Sequence, residues 1–361
     1  MKRAWFITDT HFGVRANSVE WMEIQRDYFY NFFIPLVRKH YKPGDVLLHL
    51  GDVFDNRQAI NVKALNMGIE IFEELSRIFK DGIFVICGNH DIFNKSSNDV
   101  NSLKALKWIP NVTIFEEPNE LKIGGARFVM MPWRKDHAAE REFINSISTG
   151  GSFVDYLCCH ADIAGMKFNS RTLVEHGCTA AEYAGFGRVY SGHIHYAQRF
   201  GNITMLGSPY QITRSDKGNV KSVVLLDPSS GDEQEFVNDY SPKFISAKLE
   251  DLLTKTPHEI SESFKNCFVD IFVDSAMLMK VPVGTFIEEI PKTYMRLDFQ
   301  ITSTDRKEIT QTIEAQGVLD IQRLIQLYIE STSYESTMKD RMVRELTDLY
   351  NKAEQMSLQS L

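Results

Sequence analysis

Five short segments place carboxylates, imidazoles and one amide at spacings suited to metal ligation: Asp9-x-His11, Gly51-Asp52-x-x-Asp55, Gly88-Asn89-His90-Asp91, a lone His160 and Gly192-His193-x-His195. They hold half of the chain's ten histidines. Two cations roughly 3.5–4 Å apart can clamp a phosphoryl group and lower the pKa of a bound water, so the chemistry indicated is hydrolysis of a phosphate ester. A carboxylate must bridge such a pair. Asp52 is the candidate, because an aspartate at a tight glycine turn can project both oxygens. Mixed carboxylate and imidazole donors favour Mn²⁺ or Fe²⁺ over Ca²⁺, and the absence of thiolates argues against structural zinc.

The segments differ in weight. A D-x-H triplet is common as a loop cap, and His160 alone reads as an ordinary histidine. Gly88–Asp91 directly follows a buried strand, where a plain turn needs no imidazole. In Gly192-His193-Ile194-His195, alternation points both imidazoles to one side of an extended segment. The other histidines, His40, His49, His137, His176 and His258, lack such context.

The elements that must position these residues are legible as short apolar runs at 3–8, 46–50, 83–87, 153–159 and 188–191, each ending at a ligand segment. Amphipathic stretches at about 19–38 and 62–79 separate the first three. Strand, helix, strand, helix, strand builds a parallel sheet with helices on its faces and ligands at the carboxyl ends of its strands. Runs at 112–115, 121–123, 126–131, 203–206 and 220–226 predict a second, more antiparallel sheet stacked on the first. The turn Asp227–Asp232 marks the first domain edge. The expected division is a catalytic domain at 1–232, a small mixed α+β cap at 233–302 and a helical region at 303–361. Within the last, Ile321, Leu324, Ile325 and Tyr328 form one apolar stripe, and Met342, Leu346, Leu349, Ala353 and Met356 another, suited to packing or to a partner helix.

At 361 residues, with 43% hydrophobic and 24% charged residues, the chain reads as a folded α/β protein and not a disordered or fibrous one. Its 40 Lys+Arg against 48 Asp+Glu give a net charge of −8, so any nucleic-acid contact must be local. Arg15, Lys95, Arg134, Lys135, Lys167, Arg171 and Arg214 lie near the expected rim and could supply it. Five cysteines without C-x-x-C spacing, two of them adjacent, predict reduced thiols in a cytoplasmic setting. Neither a leader nor a membrane-spanning run is visible, which fits a protein that remains in the cytoplasm where it is made.

In this order the segments resemble the calcineurin-like metallophosphoesterase superfamily. Thr8-Asp9-Thr10-His11-Phe12-Gly13, Gly51-Asp52-Val53-Phe54-Asp55 and Gly207-Ser208-Pro209-Tyr210 extend the resemblance to the SbcD-type DNA repair nucleases, phage recombination endonuclease subunits included. The resemblance covers about residues 3–215. It implies a two-sheet αββα sandwich holding two Mn²⁺ ions, with Mg²⁺ or Fe²⁺ as substitutes. Asp9, His11, Asp52 and His195 would hold the first ion, and Asp52, Asn89, His160 and His193 the second. His90 would contact the scissile phosphate as general acid or electrostatic stabiliser, with Asp91 orienting it. Some relatives carry a histidine where Asp55 stands, so Asp55 is a supporting candidate in the catalytic set, and Phe12 replaces a usual leucine.

The implied function is a DNA nuclease, a 3′-to-5′ exonuclease on duplex ends and an endonuclease on single strands. Its implied partners are an SbcC-like SMC-type ATPase engaging the terminal helices and a second copy of the chain in a homodimer. The alternatives are a phosphatase or small phosphodiesterase of the same superfamily, or a non-catalytic scaffold for the ATPase.

Overall fold

The computed structural model describes residues 2–94, 97–150, 153–274, 283–302, 329 and 338–347. Four short strands, the almost wholly buried β1 (Ala4–Ile7), β2 (Val46–His49) and β3 (Ile83–Ile86) and the half-exposed edge strand β4 (Val112–Phe115), pair in parallel in that order. Between them run α1 (Val19–Asp27), a π-helical turn at Tyr28–Phe33 continuing into α2 (Ile34–His40), and α3 (Val62–Ile78). Ser18 and Asn61 cap α1 and α3 by accepting the amides of Trp21 and Lys63. The π turn lies just before Pro35, whose ring would clash with the carbonyl four residues back in a regular helix, so one helix becomes three segments.

The second sheet comprises β5 (Asn119–Ile123), β6 (Ala126–Met131), β7 (Val154–His160), β10 (Phe186–Gly192), β11 (Gln198–Phe200) and β12 (Ile203–Met205), in the order β11-β12-β10-β7-β6-β5. A small parallel pair, β8 (Ile163–Ala164) and β9 (Cys178–Thr179), sits in the β7–β10 connection. This sheet is less antiparallel than the sequence implies. Its three central pairings are parallel, and only the edge pairs β5/β6 and β11/β12 are antiparallel. The reason is connection length: α4 (His137–Thr149) carries the chain from β6 to β7, and residues 161–185 carry it from β7 to β10, both long enough for crossovers.

A second difference concerns residues 220–226, which do not join that sheet. As β13 (Ser222–Asp227) they return to pair antiparallel with β1, and β14 (Asp232–Val237) pairs with β13. The turn at 227–232 is therefore a hairpin, and the edge expected at residue 232 falls at the start of a paired strand.

Side-chain alternation produces the layers. Trp5, Ile7 and Leu47 face the helices of the first sheet, whereas Ala4, Phe6, Val46 and Leu48 meet Phe128, Met130, Tyr156, Cys158 and Tyr190 between the two sheets. Leu157, Cys159 and Val189 face the outer layer with Ile144 of α4. The architecture is an αββα sandwich. All five cysteines are buried and free, and adjacent Cys158 and Cys159 point to opposite faces of β7.

After it, β15 (Lys243–Lys248), β16 (Cys267–Asp274) and β17 (Arg296–Thr302) form a three-stranded sheet with α5 (Pro257–Phe264), which starts at a Thr256/Glu259 capping box. The chain divides into two units, Met1–Phe272 with Gly284–Gln300, and Val273–Val283 with Ile301–Leu361. In the second, residues 338–347 are helical and include Met342 and Leu346. Ile321, Leu324, Ile325, Tyr328, Leu349, Ala353 and Met356, like Lys95 elsewhere, lie outside the described residues.

Candidate metal centre

Asp9 and His11 follow β1, Asp52 and Asp55 follow β2, and Asn89, His90 and Asp91 follow β3. His160 ends β7, and His193 and His195 follow β10. The loops meet at the carboxyl ends of strands from both sheets. Asp9, His11, Asp52 and His193 have φ of 53°, 43°, 54° and 78°, a left-handed backbone that costs a non-glycine residue about 1–2 kcal/mol. Strain in four candidate ligands marks the place where chemistry, not stability, sets the conformation. Two motif glycines allow the loops to close: a Cβ on Gly88 would lie 2.2 Å from Asp52 Oδ1, and one on Gly192 would lie 2.2 Å from Thr8 Oγ1.

Asp9, His11 and His195 converge on one side, with Asp52 in reach of His11. His11 Nε2 lies 3.0 Å from His195 Nε2, 3.6 Å from Asp52 Oδ2 and 3.9 Å from Asp9 Oδ1, and His195 Nε2 is also 3.9 Å from Asp9 Oδ1. Donors about 2.1 Å from one cation stand about 3.0 Å apart at right angles and about 3.4 Å apart tetrahedrally, so the His11–His195 pair is at ligand spacing and the others need to close by a few tenths of an ångström around a shared ion. Thr8 donates to Asp9 Oδ2 at 2.8 Å, and the His193 amide donates to the same carboxylate at 3.1 Å.

The second cluster comprises Asp52 Oδ2, Asn89 Oδ1, His160 Nε2 and His193 Nδ1. His160 Nε2 is 3.3 Å from Asp52 Oδ2 and 3.0 Å from Asn89 Oδ1, and His193 Nδ1 is 2.8 Å from Asn89 Oδ1. The far nitrogens fix the tautomers. His160 Nδ1 donates to the Leu50 carbonyl at 2.6 Å, and His193 Nε2 donates to Asp162 Oδ1 at 2.8 Å. In their neutral forms both imidazoles thus aim lone pairs at oxygens that also carry only lone pairs. Such an arrangement asks for positive charge between the donors, and two cations fit it.

Without the ions, a proton takes the place of that positive charge. Burial opposes charge on His160, but Asp52 and Asp9 outweigh it and hold its pKa at about 9. Burial likewise opposes ionisation of Asp52, yet His160, His11 and His90 keep its carboxyl well below the usual range. His195 is driven down to about 4 by burial and by adjacent His11, whose own pKa is raised because Asp55, Asp52 and Asp9 overcome burial. Asp52 does not present both oxygens to the clusters: Oδ2 faces both, while Oδ1 accepts the His90 amide at 2.7 Å.

Asp91 differs from its expected role. Its carboxylate accepts the amides of Asp52, Val53, Phe54 and Gly88 at 2.8–3.3 Å, so it shapes the Asp52 loop and does not orient the His90 ring. Burial and neighbouring Asp52 push its pKa to about 7 against the Gly88 and Phe54 amides and His160. Asp55 orients the ring instead: its carbonyl meets His90 Nδ1 at 2.6 Å, and its Oδ1 stands 3.3 Å from His11 Nδ1, a buried atom without a well-directed hydrogen bond.

Three further braces lie outside the motifs. Asp162 holds His193, as above. Buried Lys221 donates to the His195 carbonyl at 2.6 Å and to Asp216 at 2.8 Å. Gln25, from α1, donates to the Thr10 and His11 carbonyls at 2.8 Å. Each is an isolated residue far along the chain from the group it holds, and only Asp162, two residues after His160, has motif proximity as a clue.

The family model of calcineurin-like phosphoesterases matches residues 2–197. Exonuclease subunit 1 of Enterobacteria phage T4 is 25% identical over 357 residues, 90% of this chain and 98% of that protein. Putative phosphoesterase 078R of Invertebrate iridescent virus 3 is 26% identical over 205 residues, 54% of this chain and 53% of that protein, so the match spans about half its length. Among solved structures, the calcineurin-like phosphoesterase YfkN from Bacillus subtilis is 13% identical, with a TM-score of 0.34 over 64% of this chain and 87% of that one. With more than half of the chain matched, and with the two sheets and their converging aspartates and histidines in place, this protein belongs to the calcineurin-like phosphoesterase family.

Proposed function

We propose that the chain is the nuclease subunit of a DNA repair and recombination complex of the SbcD type, hydrolysing DNA phosphodiesters with two Mn²⁺ ions. The observation that carries this reading is the pair of donor groups Asp9–His11–His195 and Asp52–His160–His193, linked by the 3.6 Å approach of His11 to Asp52, in a chain alike to an exonuclease subunit along 98% of that protein's length. Asp9, His11, Asp52 and His195 would hold one ion, and Asp52, Asn89, His160 and His193 the other. When bound, the ions supply charge neutralisation at the phosphate and an activated water.

The chain's own residues do the rest. His90, held by the Asp55 carbonyl through Nδ1, turns Nε2 to the leaving oxygen, steadies its charge and delivers its proton. Asp91 keeps the Asp52 loop closed around that geometry. The region expected as a cap, residues 233–302, restricts access of the substrate, the terminal helices engage an SMC-type ATPase, and the nuclease domains pair as a homodimer.

The test is incubation of the full chain with Mn²⁺ and 3′- or 5′-labelled duplex and single-stranded DNA, with and without the co-purified ATPase. Progressive shortening from 3′ ends of duplex and internal cuts in single strands are expected. Turnover of a small phosphodiester or phosphoprotein with all DNA inert would overturn the nuclease reading while leaving the family intact.

A further inference from the structure

Immediately beyond His160 the chain makes a tight hairpin at residues 165–174 that the metal chemistry does not use. Gly165 and Val174 are joined by an amide-to-carbonyl bond of 2.9 Å, Lys167 faces Leu173 across an antiparallel bridge, and the Phe168 amide donates to the Thr172 carbonyl at 2.8 Å. Asn169 Oδ1 fixes the tip by accepting the amides of Arg171 and Thr172 at 2.8 and 3.0 Å. The base is anchored, since Met166 and Val174 are buried in the outer core. Beyond this anchor, Phe168 and Leu173 are each 56% exposed, with Lys167 and Arg171 exposed beside them.

Two contacts on the first arm of the hairpin tie it to the metal centre. Asp162, three residues before it, binds His193, and Gln198, three residues after His195, both accepts the Lys167 amide at 2.9 Å and donates to its carbonyl at 2.7 Å. Six residues separate Asp162 from Phe168, at most about 20 Å of extended chain, or the span of a few nucleotides. The hairpin contains two cations and no acid in a chain of net charge −8. Arg134 and Arg214 are already paired, with Glu117 and with Asp270 and Asp298. Among the described residues, neither Lys167 nor Arg171 has a carboxylate within ion-pair distance.

An exposed ring between unneutralised cations, on a hydrogen-bonded hairpin rooted beside a phosphoesterase centre, has the composition of a single-strand platform: a base stacks on the ring while the cations meet flanking phosphates. We propose that the 165–174 hairpin is a stacking finger that holds an unpaired DNA strand at the catalytic rim, with Phe168 against a base and Lys167 and Arg171 on the backbone. This rests on the nuclease reading above and adds to it the preference for unpaired strands.

The experiment uses the full chain, a fluorescent single-stranded oligonucleotide read by anisotropy, and bis(p-nitrophenyl) phosphate as a substrate too small to reach the hairpin. Phe168→Ala is expected to weaken oligonucleotide binding about 5- to 100-fold. The ratio of kcat/KM on the oligonucleotide to kcat/KM on the small diester should fall by a similar factor. Phe168→Trp should retain binding, with indole fluorescence quenched by the stacked base. Replacing both Lys167 and Arg171 by Ala should reduce the slope of log affinity against log salt by about 1.4, two phosphate contacts on a single strand. Wild-type affinity and an unchanged ratio in Phe168→Ala, or an equal loss on blunt duplex, would overturn the finger alone. Wild-type protein that hydrolyses the small diester but binds no oligonucleotide would overturn the finger and the nuclease reading together.

Discussion

Asp162 and His90 separate binding from chemistry at the scale of single residues. Asp162 accepts the Nε2 proton of His193 and so keeps Nδ1 free to ligate. Asp162→Asn is expected to weaken one of two Mn²⁺ equivalents about 10- to 100-fold, read by calorimetric titration, with the other equivalent little changed. His90→Gln should retain both ions and lose about 10²- to 10⁴-fold in kcat, because it removes a proton donor and not a ligand. If His90→Gln binds only one ion, His90 is a ligand and its assigned role is wrong. Every residue of the two clusters except His160 lies in a short motif at a strand end and was legible there, whereas His160 was placed only by the family resemblance. The supports Asp162, Lys221 and Gln25 were not, since a lone polar residue in a loop or helix carries no spacing signal. The expected role of Asp91 also needed coordinates: adjacency to His90 in sequence says nothing about four backbone amides gathered from two loops.

Strand ends and loops set the distances at the next scale. Gly88→Ala would force the Asp52 loop away from the β3 loop, since its Cβ would stand 2.2 Å from Asp52 Oδ1. A displacement of about 1 Å at a reacting centre costs on the order of 10²-fold in rate, so cleavage should fall at least that far, with a parallel loss of Mn²⁺ uptake by calorimetry. In β2, burial lowers His49 to about 3, so the folded chain keeps neutral a group that titrates near 6.5 when unfolded. The unfolded state binds more protons below pH 6.5. Stability from this group is therefore complete above pH 6.5 and is lost as pH falls toward 3, at up to about 1.4 kcal/mol per pH unit. In metal-stripped protein, His49→Leu should flatten that acid slope in urea titrations between pH 6.5 and 4.5; an unchanged slope would show that His49 is not its source. The strands around these sites were readable as apolar runs. Their partners were not: hydrophobic periodicity marks residues 220–226 as a strand without saying that it returns beside β1, and the break before Pro35 is invisible to a pattern that both helical forms satisfy.

For the molecule as a whole, the centre concentrates Asp9, Asp52, Asp55, Asp91 and Asp162 within a chain already of net charge −8. Bound cations relieve that repulsion and bind only the folded chain, so Mn²⁺ at about 100 times its Kd should stabilise the fold by roughly 2.7 kcal/mol per site. Thermal unfolding with chelator and then with added Mn²⁺ measures this, and an unmoved midpoint would mean that the loops do not bind the metal as assigned. The descent of the chain through the two sheets has a further consequence. Asp9, His11, Asp52 and Asn89 are delivered by one sheet, His160, His193 and His195 by the other, and β13 then comes back to clasp β1. The polypeptide laces its two halves shut after the last ligand has emerged, so neither half carries a whole ion pocket. A nascent chain cannot finish either pocket until residues past 195 have left the ribosome, and metal-dependent hydrolysis is thereby postponed until the sandwich is nearly whole.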